Sequence, residues 1–251
     1  MKFAFLFHAF AIAITVLSIT ACNPQDLEGL GSLPGSSPTP TPNAPSSSPT
    51  PTSSSTPAPT PVSTSSYPSC VSSDTSRTCI GLKIVSYQSS SGVTDVTEAG
   101  AVTLVNSMNT VWSQCNIAFQ LEVYQSVDPT TLGLPYSPNW QSQTNAVRTA
   151  FEDNTRFVYA AVGPWTGATI AVTMMPGSGI YGSIVDQQYS NNPLTVAHEL
   201  GHYEGLDDES SDTTNLMSLI IEPNAETLNA SECAIAHSTN QQYWSAMMRT
   251  P

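Results

Sequence analysis

The stretch Asn192-Pro193-Leu194-Thr195-Val196-Ala197-His198-Glu199-Leu200-Gly201-His202-Tyr203-Glu204-Gly205-Leu206-Asp207-Asp208 decides how the rest of the chain is read. The Asn192 side chain can accept from the first free amides of a helix, and Pro193 suits the first helical position, where its missing N–H is no loss. A helix is therefore predicted to start here. On it, His198 and His202 stand one turn apart, so both imidazoles leave the same face and can hold one zinc ion. Glu199, beside them, is placed to take a proton from water at the metal. Val196, Leu200 and Tyr203 fall at the spacing of the buried side. Gly205 stands where a left-handed residue ends a helix and reverses the chain, which would bring Asp207 or Asp208 back as a third ligand.

Working outward, nineteen acidic side chains face six basic ones in 251 residues, a net charge of −13. Phosphate binding needs a basic surface that such a chain cannot assemble, so nucleic acid is excluded as a partner. The acidic excess reads as a soluble surface; it also admits basic peptides or structural Ca2+. Met1-Lys2 followed by an almost unbroken apolar run over residues 3–19 has the form of an export signal. Ile19-Thr20-Ala21-Cys22 resembles a bacterial lipobox, which implies cleavage before Cys22 and a lipid on its thiol, anchoring the chain to the cell envelope, at the outer membrane or cell surface. The alternative is an uncleaved anchor, since the run approaches the roughly 20 residues that span a bilayer. Beyond Cys22, Cys70, Cys79, Cys115 and Cys233 form an even set that suits two disulfides in an oxidising compartment, with three connectivities open. Cys70 with Cys79, a short local loop, and Cys115 with Cys233 are the favoured pairs. A thiol capping the metal is the minor alternative.

Three regions follow: a signal over residues 1–21, a lipid-anchored stalk over 22–66, and one catalytic-sized domain over 67–251. The stalk is almost wholly Ser, Pro and Thr from residue 31 onward, a composition that cannot bury a core. At about 3.1 Å per residue it reaches on the order of 100 Å. Within the domain, strands are predicted over 80–87, 117–124, 156–162, 168–174 and 180–185, and helices over 94–114 (capped by Thr94), 141–153 and 230–248. Gly177, Gly179 and Gly182 punctuate the segment before the metal helix. Ile180, Tyr181 and Gly182 are there read either as an edge strand that pairs with a substrate backbone or as a bulge without a ligand role.

The full pattern His198-Glu199-x-x-His202-x-x-Gly205-x-x-Asp208, with Met217 nine residues further on, resembles the metzincin family of zinc endopeptidases. The wording His-Glu-Leu-Gly-His-x-x-Gly-Leu is similar to matrixins. In that family the third ligand is most often a histidine where Asp208 stands; an aspartate there resembles the snapalysin-type minority. The resemblance implies an α+β, zincin-like fold: a twisted, mostly parallel sheet, two long helices, a zinc cleft and a small C-terminal subdomain. It implies a methionine turn at Met217 beneath the metal, and it selects Asp208 over Asp207. A zinc-proximal tyrosine two residues after that methionine has no match, because Leu219 stands there. His237 is a rival third ligand, as are Glu222, Glu226 and Glu232 in a thermolysin-like arrangement; Pro223 sits poorly with Glu222 on a helix, and Gly205 would then be unexplained.

The activity so implied is hydrolysis of extracytoplasmic peptides or proteins, with one catalytic Zn2+ and Glu199 passing a proton from water to the leaving amine. A carboxylate ligand leaves less positive charge at the metal than a third imidazole, so water there is less acidic. The competing reading is a zinc-holding or adhesive surface lipoprotein without turnover, which has no need of Glu199. Oligomeric state is not legible in the sequence.

Overall fold

β1 (Thr78–Tyr87) is buried at every position but Lys83, because strands flank it on both sides and helices cover both faces. The computed structural model describes residues 67–139 and 141–250. The expected signal, Cys22 and the stalk lie outside the described residues. β1 pairs in parallel with β2 (Ile117–Val127) and with β3 (Phe157–Ala161), and β3 pairs in parallel with β5 (Ser183–Val185). β4 (Ala171–Thr173) runs antiparallel to β5 and closes that side, giving the order β2-β1-β3-β5-β4, while the two-residue β6 (Met248–Arg249) adds antiparallel to β1. The fold is thus mixed, with a mostly parallel sheet.

Parallel neighbours need crossover connections, and these supply the helices. Ile80, Leu82 and Ile84 of β1 and Phe157 and Tyr159 of β3 point to one face. There they meet α1 (Glu98–Trp112), α3 (Pro193–Tyr203) and Ala236 of α4 (Ala230–Tyr243). Val85 and Tyr87 of β1 and Val158 and Ala160 of β3 point the other way, onto Val147 and Phe151 of α2 (Gln141–Phe151). Alternation along each strand, with apolar residues at both parities, is what a sheet covered on two faces requires.

α1 starts later than predicted. Its cap is Thr97, whose hydroxyl accepts from the Gly100 amide, and not Thr94. Tertiary pairing takes the preceding residues: Thr94 bridges to Gln88, the Val96 amide donates to Ser86 Oγ, and the Val96 carbonyl accepts from the Tyr124 hydroxyl. Of the two readings of Ile180, Tyr181 and Gly182, the edge strand requires correction. They lie in a turn before β5, with Gly182 at a φ of 146°, and β5 is an internal strand; the strand that ends the sheet is β4. The glycines break the ladder there, and the three short apolar residues of β4 take the outer position.

The two favoured disulfides, Cys70–Cys79 and Cys115–Cys233, are both present. The first ties the entry of the domain to β1. The second joins the short 3-10 turn after α1 (Ser113–Cys115) to α4. Two such bonds mark a protein folded in an oxidising compartment.

Candidate metal centre

α3 carries the centre, and its ends are set by local chemistry. Asn192 Oδ1 accepts from the amides of Leu194 and Thr195 at 2.9 and 3.4 Å, and Pro193 occupies the first turn. At the other end Gly205 has a φ of 80°, its amide donates to the His202 carbonyl, and the Leu206 amide donates to the Gly201 carbonyl. This paired closure reverses the chain immediately after the helix. Val196, Leu200 and Tyr203 are buried, as predicted from their spacing. Tyr203 stacks on Phe157, with ring centroids 4.3 Å apart, and indole N–H groups clamp α3 at two carbonyls: Trp112 to Ala197 at 3.2 Å and Trp244 to Tyr203 at 2.7 Å.

The reversal brings Asp208 over the two histidines. Oδ1 of Asp208 lies 3.3 Å from His198 Nε2 and 3.6 Å from His202 Nε2, and the ligand atoms of the three residues all fall within 4.8 Å of one another. Asp207, the neighbour on the chain, is exposed and outside this group. Each ring is aimed by its far nitrogen: His198 Nδ1 sits 2.8 Å from the Leu216 carbonyl and His202 Nδ1 2.8 Å from the Leu206 carbonyl. A carbonyl only accepts, so both Nδ1 atoms carry the proton and both Nε2 lone pairs point into the group.

The donor set fits a zinc ion. His198 Nε2, His202 Nε2 and Asp208 Oδ1 are buried and have no hydrogen-bond partner. Buried polar atoms without partners are costly, and three that converge are resolved together by one cation. Two imidazoles and one carboxylate are a common ligand set for zinc with a coordination position left over for water. Burial pushes the His198 ring down, but the Asp208 contact, Glu199 and the Leu216 carbonyl outweigh it and leave the ring raised above 6.5. His202, depressed by burial and by the neighbouring His198, goes the other way.

Met217 lies fully buried under α3, against Gly201 between the two histidines. Its segment is stitched to the residue after Asp208: the Glu209 amide donates to the Met217 carbonyl at 2.6 Å and the Leu219 amide to the Glu209 carbonyl at 3.1 Å. One short stretch therefore places Asp208, the Leu216 carbonyl and the methionine together. Glu199 is fully buried, and its Oε2 lies 2.5 Å from the Thr173 hydroxyl on β4.

The other candidate ligands are engaged elsewhere. His237 has one ring nitrogen 3.1 Å from Thr78 Oγ1 and the other 2.7 Å from the Cys115 carbonyl, a packing role on α4. Glu232 closes a capping box with Asn229 at the start of α4 and accepts from Asn215. Glu222 and Glu226 line an open cleft between α1 and the start of α3. Ile180 is exposed, and Tyr181 packs edge-on against Trp244. Sequence reasoning missed Thr173 and its cross-strand partner Ser183, as well as the Leu206 and Leu216 carbonyls; no local pattern marks any of them.

The fold and site define a mixed α/β domain with a His, His, Asp group that could hold a metal ion and a buried carboxylate beside it. No family model and no curated protein matches the chain. Among solved structures it is similar to metalloproteinase-II from Bacteroides fragilis, at 15% identity and a TM-score of 0.46, covering 64% of this chain and 53% of that one. The chain thus spans about half the length of that neighbour.

Proposed function

We propose that the domain over residues 67–251 is a zinc endopeptidase of the metzincin type, with His198, His202 and Asp208 as ligands and Glu199 as general base. The observation that carries this reading is the convergence of three buried, unpartnered ligand atoms one residue from a buried carboxylate. When bound, zinc would polarise the scissile carbonyl and acidify the attacking water. Glu199 accepts the proton of that water and returns it to the leaving amine. An extended substrate adds along β4, the strand that ends the sheet on the side of Glu199, and main-chain hydrogen bonds hold it there. Met217 is the methionine turn beneath the centre.

A carboxylate beside the ligands favours turnover over the rival reading of a zinc-holding surface protein, because a pure binding site has no use for a second buried acid. The signal over 1–21, a lipid on Cys22 and the stalk over 22–66 complete the proposal. They tether the domain to the cell envelope, outside the cytoplasm, where its substrates are proteins or peptides. The two disulfides support that placement.

The test is metal removal and return on the full chain with its disulfides formed. Chelation abolishes cleavage of a diverse peptide library, and one equivalent of zinc restores it. Cleavage that persists in the metal-free protein contradicts the proposal.

A further inference from the structure

Glu199 is held from the sheet, and by a side chain that its own helix does not supply. Thr173 and Ser183 stand opposite each other in the antiparallel β4–β5 pair, with their hydroxyl oxygens 2.8 Å apart. Thr173 Oγ1 is also 2.5 Å from Glu199 Oε2. A hydroxyl has one proton, and an ionised carboxylate can only accept. Thr173 Oγ1 is the donor toward both Ser183 Oγ and Glu199 Oε2, and its single proton, given to the carboxylate, leaves the fully buried Ser183 in contact behind it. The result is a buried pair of hydroxyls whose Thr173 member meets the carboxylate.

Nothing in the strand itself asks for these hydroxyls. Valine is nearly isosteric with threonine and has a high strand propensity, and a buried serine hydroxyl is a cost unless it is hydrogen-bonded. A bond to an ionised acceptor is also stronger than one between neutral groups. We propose that Thr173, backed by Ser183, is the positioning residue for Glu199: it fixes the carboxylate's orientation and couples it to the strand on which substrate would lie. Because Thr173 is part of β4, a peptide added along that strand is registered against the same residue that aims the base. Arg148 stiffens this corner, its guanidinium donating to the Val172 and Gly182 carbonyls at 2.8 Å each, on either side of the hydroxyl pair.

The inference rests on the reading of Glu199 as general base, and the test separates the two. In the zinc-loaded full chain, Thr173→Val lowers kcat by about tenfold or more with KM within about twofold, and Thr173→Ser recovers to within about threefold of the parent. Zinc content is the same in all three. Independently of turnover, the infrared spectrum of protein labelled with 13C-glutamate shows a carboxylate band displaced by Thr173→Val, and the displacement vanishes in a Glu199→Gln background. If the parent hydrolyses no peptide, the endopeptidase reading fails while the infrared comparison still decides the contact. An unmoved carboxylate band, an unchanged kcat in Thr173→Val, or a Thr173→Ser variant as impaired as Thr173→Val overturns the proposal.

Discussion

Met217 occupies the space that a side chain on Gly201 would fill: a Cβ built at position 201 would lie 2.3 Å from the methionine sulfur. Gly201 sits on α3 between the two histidines, so the helix approaches Met217 as closely as it does only because this residue has no side chain. In an exposed helix interior, glycine to alanine stabilises by roughly 1 kcal/mol. Here the sign reverses. Gly201→Ala is predicted to destabilise by about 1–3 kcal/mol, the usual cost of overpacking. Thermal melts check it, and Gly201→Ala with Met217→Ala recovers part of the loss.

Asp208 and Asp207 are adjacent and equally anionic, but the chain reversal at Gly205 sends only Asp208 to the histidines. Asp208→Ala should weaken zinc binding by more than the roughly 10–100-fold that losing an outer-shell partner costs. Asp207→Ala should bind as the parent does. Competition with a chelator of known affinity distinguishes the two.

Glu204, two residues past His202, carries the stability prediction. It is fully buried, its Oε2 accepts from Asn240 Nδ2 at 2.5 Å, and Glu204 Oε1 and Asn240 Oδ1 are buried without partners. Burial holds its carboxyl well above the ordinary 4.5, against the smaller opposing effect of the Asn240 bond. The native state therefore keeps the proton that the unfolded chain loses near 4.5. The resulting stability is complete below that pH and declines as pH rises toward the folded value. Glu204→Gln supplies a neutral amide and removes this decline. Its melting temperature relative to the parent should rise between pH 5 and pH 8, at about 2–4 °C for each kcal/mol recovered.

The Cys115–Cys233 bond closes a sequence separation of 118 residues between the 3-10 turn after α1 and α4. Loop-closure entropy assigns such a crosslink up to about 4–5 kcal/mol. Cys115→Ser with Cys233→Ser is predicted to lower the denaturation midpoint more than Cys70→Ser with Cys79→Ser, whose separation is 9. Urea titrations of the two double variants rank them.

What was legible in the sequence is what local chemistry sets. Asn192, Pro193 and Gly205 act within a turn of their own positions, so both ends of α3 could be read, as could the shared face of His198 and His202. The mostly parallel sheet was implied by the resemblance, and the order of strands and helices agreed with it. The start of α1 was misplaced because Gln88, Ser86 and Tyr124, remote in sequence, claim residues 94–96. The edge strand was misplaced because β4 and β5 are three residues each, too short for periodicity to say which lies outside. The hydroxyl pair was invisible for the same reason: Thr173 meets Ser183 and Glu199 only through β4–β5 pairing and the packing of α3. The carbonyls of Leu206 and Leu216 that aim the rings belong to the backbone, which no residue pattern records.

The central claim is that Glu199 works as a base beside a zinc ion held by His198, His202 and Asp208. Its most direct test is the rate of peptide hydrolysis by the full chain and by Glu199→Ala at equal zinc content. Loss of general acid–base catalysis typically costs 10²–10⁴-fold, so the variant should retain at most about one hundredth of the parent rate while binding zinc as well. Equal rates in the two proteins at equal zinc content, or no hydrolysis by either, would contradict the account.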